Sequence, residues 1–258
     1  MSARARKELG QHFLADENIL RVIGRLAELG EDDVVLEVGA GLGVLTTYLA
    51  DRTARVYAIE LDESLAPQLI ESLAGRKNVE LQFGDALRLD LAAAAPGANK
   101  LVANLPYNIA TPLLAESLDL LPELELWCVM VQREVADRLF ARPSTKAYGA
   151  VSVLVQLVAE RTGFHPVSSA VFRPRPNVES ALVAFRRTAL PPDFRRLKRV
   201  VEGSFAHRRK RLANSLELSG FTNRENAETA IEQIGKLQTV RAEELTPPEF
   251  LELAEALR

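Results

Sequence analysis

In the first two-thirds of the chain the apolar positions fall into short unbroken runs. In the last third they recur every three or four residues. Residues 34–38, 55–60, 79–83, 100–103 and 126–131 are rich in Val, Leu and Ile and have few alternating polar positions. That is the pattern of strands covered on both faces. Between them, residues 45–50, 67–73, 112–118 and 133–140 carry helical spacing. Repeated strand–helix units predict a parallel, doubly wound sheet with right-handed crossovers. Residues 161–167 and 180–187 read as two further strands with no long helix between them, which suits an antiparallel edge and brings the sheet to seven strands.

Pro191 and Pro192 mark a break, since neither a helix nor a central strand continues through two prolines. Only helical patterns follow, at 194–205, 208–218, 223–237 and 247–257. Thr246 is placed to cap the last of these, with Pro247 in its first turn and Glu249 behind it. The division predicted is a sheet domain over 1–187 and a small helical domain over 193–258.

Composition changes this picture little, and charge changes it more. At 258 residues, 47% hydrophobic and 26% charged, the chain is an ordinary globular protein. The longest nearly uncharged stretch, 147–159, is too short to span a bilayer, so no membrane partner is expected. Arg4, Arg6 and Lys7 are not followed by an apolar run, so no signal peptide is expected. The single cysteine, Cys128, lies in an apolar strand and reads as a buried, inert thiol. A reducing, cytoplasmic setting fits. Net charge is −3, yet residues 172–211 hold twelve Arg or Lys against three acidic residues. This asymmetry points to a polyanion partner rather than to a merely solvated helix face.

The candidate chemistry sits at strand ends. Glu37-Val38-Gly39-Ala40-Gly41-Leu42-Gly43 follows the first of these strands and opens a helix. Such a turn brings a nucleotide-like ligand to the carboxyl edge of the sheet, although a plain tight turn can look the same. The G-x-G-x-G spacing differs from the dinucleotide fingerprint, and Glu37 would repel a pyrophosphate. It suits a cofactor with a cationic amino group, such as S-adenosylmethionine. Glu60 ends the next strand, where a carboxylate accepts hydrogen bonds from ribose hydroxyls. Asp85, after the third, can accept from an adenine amino group or cap the following helix.

Asn104-Leu105-Pro106-Tyr107 follows the fourth of these strands. The exocyclic N6 of adenine is a poor nucleophile because its lone pair is delocalised into the ring. Acceptors on its two N–H groups, the Asn104 side-chain oxygen and the Leu105 carbonyl, push it towards a pyramidal amine. Pro106 has a fixed φ that helps aim that carbonyl. Tyr107 offers a ring on which an extruded base stacks. No metal is expected, because His12, His165 and His207 lack ligand spacing with the lone cysteine.

With these segments the chain resembles the small-subunit ribosomal RNA adenine N6,N6-dimethyltransferase family. The resemblance is carried by Lys7-Glu8-Leu9-Gly10-Gln11-His12-Phe13-Leu14, Glu37 to Gly43, Glu60, Gly84-Asp85-Ala86 and Asn104 to Asn108. It continues through Gln132-Arg133-Glu134-Val135, Tyr148-Gly149, Phe172 to Pro176 and Phe205 to Lys210. It implies an α/β fold: a Rossmann-like, doubly wound, mostly parallel seven-stranded methyltransferase sheet with an antiparallel edge, plus a small C-terminal all-helical domain. It implies S-adenosyl-L-methionine as cofactor and S-adenosylhomocysteine as product. His12, Leu14, Gly39, Gly41, Glu60, Asp85 and Asn104 would hold the cofactor. Asn104, Leu105, Pro106, Tyr107 and Phe172 would serve catalysis, Phe172 as a second aromatic packed on the target base. The substrate implied is a pair of adjacent adenines in a hairpin loop near the 3′ end of 16S rRNA, read in the assembling 30S subunit by a monomer. Each adenine receives two methyls. Arg133, Arg208, Arg209 and Lys210 are candidates for RNA contact, and the helical domain for docking on the particle. Two positions depart from the family pattern: His12 stands where many relatives carry Asn, and Ala40 where many carry Pro. The alternatives are a large-subunit rRNA adenine dimethylase and an RNA-binding assembly factor without catalysis.

Overall fold

The computed structural model describes residues 11–258. Positions 7–10 of the N-terminal motif, and the basic residues Arg4, Arg6 and Lys7, lie outside the described residues. The elements run β1 (Phe13–Leu14), α1 (Glu17–Leu26), β2 (Val34–Val38), α2 (Val44–Ala50), β3 (Arg55–Glu60), α3 (Ala66–Ser72), β4 (Val79–Phe83), α4 (Leu91–Ala94) and β5 (Lys100–Asn104). Then come α5 (Ala110–Leu120), β6 (Leu126–Gln132), α6 (Arg133–Leu139), α7 (Ala150–Val158), β7 (Ala159–Val167), β8 (Phe172–Arg173) and β9 (Ser180–Arg187). Four more helices close the chain: α8 (Phe194–Phe205), α9 (Leu212–Leu218), α10 (Arg224–Gln233) and α11 (Pro247–Ala256). Among the described residues no helix is long and apolar enough to cross a membrane.

The chain divides into two compact units. One runs to Ala136 and resumes over Glu160–Arg187; the other comprises Asp137–Ala159 and Thr188–Arg258. In the first, seven strands hydrogen-bond in the order β4-β3-β2-β5-β6-β9-β7. The pairings among β4, β3, β2, β5 and β6 are parallel, and β9 joins β6 antiparallel, with Gln132 opposite Ser180. The expected mixed sheet is therefore present. Strands β2 and β6 are almost wholly buried, which explains their unbroken apolar sequence. Because β3 lies on one side of β2 and β5 on the other, the winding reverses between β2 and β5. A crevice opens at the carboxyl ends of those strands. On one face of the sheet Ile23, Val35, Leu49, Val102, Cys128 and Leu182 form a continuous core; on the same face, towards β4, Ala58, Leu69 and Leu73 pack together. Burial pushes the Cys128 thiol up to about 12, so it is inert as expected.

Helix α2 has no side-chain cap. It begins at Gly43, which has φ +80°, and a Cβ there would lie 2.3 Å from Ser72 Oγ and 2.9 Å from Leu69 Cδ1. Glycine is required both by the backbone and by the approach of α3.

Arg187 closes the far end of the sheet. Its Nε donates to Leu124 O at 2.7 Å, and its Nη2 to Leu121 O at 3.0 Å. A longer bond at 3.3 Å from Nη1 reaches Leu118 O, and the guanidinium lies 4.9 Å from the Trp127 ring centroid. These carbonyls end α5 and the turn after it, where the helix dipole favours a cation. Arg187→Met is expected to lower unfolding free energy by about 2–4 kcal/mol, because it strands several carbonyls at once. A urea melt monitored by Trp127 fluorescence checks this.

The second unit forms around Tyr148, whose hydroxyl donates to Leu245 O at 2.8 Å. Its ring meets Phe205 edge-on at 6.0 Å, and Phe205 in turn lies 5.8 Å from Phe250. Thr246 caps α11 as its sequence suggests, with the Glu249 carboxylate accepting from Thr246 N at 2.8 Å. The division drawn at the prolines placed 137–159 with the sheet; these compact units place it with the tail. The physical reason is that α7 packs against α8 and α11, and the Tyr148–Leu245 bond, between residues 97 apart in sequence, adds to this.

Candidate active site

At the crevice, β2 ends in Glu37 and Val38 and the chain turns through Gly39, Gly41 and Gly43, all with positive φ. Gly39 N and Ala40 N donate to Ile59 O at 2.8 and 3.3 Å, pinning the turn to the end of β3. A Cβ on Gly39 would sit 3.1 Å from Pro106 Cδ, and one on Gly41 3.1 Å from Phe13 Cδ1. The absence of side chains therefore lets the turn meet both the Asn104–Tyr107 segment and the N-terminal segment. Together these elements wall a cleft whose empty space, including the solvent at its mouth, is about 1000 Å³.

Glu60 is held at the cleft by its backbone neighbours. Oε2 accepts from Gly41 N and Oε1 from Asp62 N, each at 2.8 Å. One lone pair on each oxygen remains for another donor. Asp62 caps the following 3-10 turn by accepting from Ser64 N at 3.1 Å, and it also accepts from Gln11 Nε2 at 2.8 Å. Asp85 lines the cleft, but its Oδ1 accepts from Leu87 N at 3.0 Å and its Oδ2 lies 3.5 Å from Arg88 Nε. Asp85 thus holds its own turn, while the helix that follows, α4, is capped by Asp90.

Glu37 is 1% exposed, and among the described residues its Oε2 has no hydrogen-bond partner although it lines the cleft. Burial pushes its carboxyl up to about 8; the Thr46 hydroxyl works the other way and the Glu60 carboxylate adds to the rise. A buried acceptor without a partner, beside a second carboxylate, is a site shaped for a cation.

Gln11 to Leu14 roof the cleft. Asn104 Nδ2 donates to His12 O at 3.0 Å, and His12 Nδ1 donates to Pro174 O at 2.8 Å. Because a carbonyl only accepts, the Asn104 amide must turn its NH₂ to the roof, which leaves Oδ1 without a partner among the described residues. Leu105 N donates to Met130 O at 3.0 Å, and Pro106 O accepts from Ala110 N at 3.1 Å, so the segment is fixed at both ends. The Tyr107 ring lies 5.6 Å from the His12 ring, tilted by 33°. The structure thus brings His12, Leu14, Gly39, Gly41, Glu60, Asp85 and Asn104 to Tyr107 into one cleft.

A profile of the family described as ribosomal RNA adenine dimethylase matches residues 2–258. The chain belongs to that family. It is therefore a methyltransferase. The "Ribosomal RNA small subunit methyltransferase A" of Rubrobacter xylanophilus is 47% identical over 251 residues, covering 97% of this chain and 94% of that one. A crystal structure of the 23S rRNA methyltransferase ErmE is 30% identical, covers 95% of this chain and 99% of the other, and gives a TM-score of 0.66. A dimethyladenosine transferase from Plasmodium falciparum, 23% identical, shares the fold at a TM-score of 0.76, over 94% of this chain and 96% of the other.

Other candidate residues of this methyltransferase are not among those that line the cleft. Phe172 is fully buried within the core that contains Leu14 and Ile23, and it does not line the cleft. Its pairing with Leu14, between β8 and β1, turns it inward, so it offers no face to a base. Arg133 is exposed at the start of α6, with its guanidinium 4.8 Å from the Phe164 ring centroid. Arg208 donates to Tyr148 O at 2.8 Å and lies 3.6 Å from the Glu243 carboxylate; it is exposed, as are Arg209 and Lys210. Gln11 and Phe13 entered the sequence reading only within the 7–14 motif, and Asp62 not at all. Only the Asp62-Glu63-Ser64 run carried a signal, that of a side chain bonding its own turn.

Proposed function

We propose that this dimethylase transfers methyl groups from S-adenosyl-L-methionine to N6 of two adjacent adenines in a hairpin loop near the 3′ end of 16S rRNA. The substrate is the assembling 30S subunit and the products are N6,N6-dimethyladenosines. The observation that carries the reading is the Asn104 amide. Its NH₂ is bound to the cleft roof and its oxygen is free beside Leu105 and Tyr107. The 47% identity to a small-subunit enzyme, against 30% to a large-subunit one, favours the small-subunit substrate.

The residues present fit this cofactor. The partnerless Glu37 oxygen suits its cationic amino-acid end, the spare lone pairs of Glu60 suit ribose hydroxyls, and Asp85 lies where an adenine amino group can be met. The bound cofactor supplies an electrophilic methyl on a sulfonium. Asn104 Oδ1 and the Leu105 carbonyl accept the two N6 hydrogens and localise the nitrogen lone pair. Tyr107 stacks on the extruded base, and the Gln11–Leu14 roof excludes water. The surplus proton leaves to solvent after transfer, so no strong base is needed.

Because Arg208 is engaged with its own unit, Arg209 and Lys210 are assigned the phosphate contacts. Replacing both by alanine is expected to weaken particle binding at all sequences. It should also reduce the slope of log affinity against log salt by about 2, one for each phosphate no longer neutralised. Filter binding across a salt series checks this.

The deciding experiment is labelled methyl transfer to small subunits from an unmethylated strain, followed by reverse transcription to locate the stops. Stops at two adjacent adenines near the 16S 3′ end are expected. Label confined to large-subunit RNA would move the substrate to the ErmE type. No label despite bound cofactor would leave a binding factor.

A further inference from the structure

Tyr107 is the ring at the cleft, and its hydroxyl has a partner outside the Asn104–Tyr107 segment. Tyr107 Oη and Ser180 Oγ are 2.7 Å apart. Ser180 opens β9, is 1% exposed and sits opposite Gln132 in the sheet. The residues after it, Ala181 to Phe185, are apolar and buried, so packing alone would favour an apolar side chain here. A buried hydroxyl is costly unless it is bonded, and Tyr107 supplies the bond. The start of β9 is itself fixed on both sides. Glu179 O accepts from Arg133 N at 3.0 Å, and the Glu179 carboxylate accepts from Ser169 N at 3.2 Å. The neighbouring His12 ring is tied through Pro174 O to the same 174–180 segment. Both rings at the cleft are therefore anchored to one stretch of chain that touches neither Asn104 nor the glycine turn in sequence.

We infer that Ser180 is a positioning residue for the acceptor base: its hydroxyl fixes the far end of the Tyr107 side chain, and so where the ring stands, against which the adenine stacks with N6 towards Asn104. This rests on the base-stacking reading of Tyr107 above. A ring anchored beforehand needs no further ordering when the base arrives, so the effect falls on the reacting complex and not on docking of the particle.

The test is a double-mutant cycle in the full-length enzyme with Ser180→Ala and Tyr107→Phe, using unmethylated small subunits. Each single change removes one half of the same bond. Each is expected to lower kcat by roughly five- to tenfold, the worth of one hydrogen bond. KM for the particle and cofactor affinity should hold, since phosphate contacts elsewhere dominate particle binding. The double variant should be no slower than either single one. Additive losses, or losses in Ser180→Ala that follow only its unfolding midpoint, would overturn the role. Should Ser180→Ala not fold, Tyr107→Phe decides alone, and an unchanged kcat there overturns the proposal. Failure of the unaltered enzyme to label the particle would overturn the stacking reading and this role together. Transfer at the normal rate by both single variants would sink only the role of Ser180.

Discussion

Asn104→Ala is expected to lower the single-turnover rate of methyl transfer by about 10²–10³-fold, the usual cost of removing one preorganised group at a developing charge. Cofactor affinity should fall far less. The side chain has two ends with two tasks. Nδ2 holds the roof through His12 O at 3.0 Å, and Oδ1 is left for the acceptor amine. Alanine removes both, so a second variant separates them. Asn104→Asp keeps an acceptor oxygen but sets a carboxylate against the His12 carbonyl, where two acceptors repel. That variant should lose cofactor affinity more than alanine does. Rapid-quench transfer with saturating cofactor, beside equilibrium cofactor binding for each variant, measures the two effects independently. An aspartate variant with ordinary cofactor affinity would show that the roof does not depend on this bond.

Glu37→Gln should weaken cofactor binding roughly ten- to hundredfold above pH 8, the worth of one charge-assisted hydrogen bond. It should also abolish a pH dependence. In the free protein the carboxyl titrates at about 8, so near neutrality it is mostly protonated. A cation binds the ionised form, so binding expels a proton. Affinity in the unaltered enzyme should rise tenfold per pH unit below about 8, down to the value of the bound state, and level off above 8. Stability without cofactor runs the other way. The folded value lies above the ordinary 4.5, so the folded state holds the extra proton between 4.5 and about 8. Stability is then full below 4.5 and falls by about 1.4 kcal/mol per pH unit up to about 8. The glutamine variant lacks that decline and should melt higher than the unaltered protein at pH 9. Calorimetry in two buffers of different ionisation enthalpy measures the proton released. A cofactor affinity that is flat with pH would refute the assignment.

The parallel strands were legible because burial on both faces leaves an unbroken apolar run, as in β2 and β6. Glu37, Glu60, Asp85 and Asn104 were legible because each stands at a strand end, where topology converges them, whereas His12 and Leu14 were legible only through the family resemblance. What stayed hidden had no local signature. Strands β1 and β8 are two residues each, too short for any period, yet their pairing turns Phe172 into the core. Helix α7 lies in an uncharged stretch rich in Val, which serves a buried helix or a strand equally. The chain passes from one to the other at Ala159 with no breaker. Charge counting saw twelve basic residues but not their partners. Arg187 is engaged by the carbonyls after α5 and Arg208 by Tyr148 O, and the basic run at 208–211 precedes α9 instead of opening it. Ser180 was invisible as anything but a strand residue, because its partner lies 73 positions away.

The roof over the cleft has a consequence for how the protein is made. Its fastenings join Gln11 to Asp62, His12 to Asn104 and His12 to Pro174, spans of 51, 92 and 162 residues. On a translating ribosome the earliest of these residues wait for the latest. At about 5–20 residues per second, His12 is polymerised roughly 8–30 s before Pro174. The glycine turn and Glu60 can meet long before then. A nascent chain halted ahead of residue 174 would thus carry the floor of the cleft without its full lid, and the first-born residues of the site would be the last to settle.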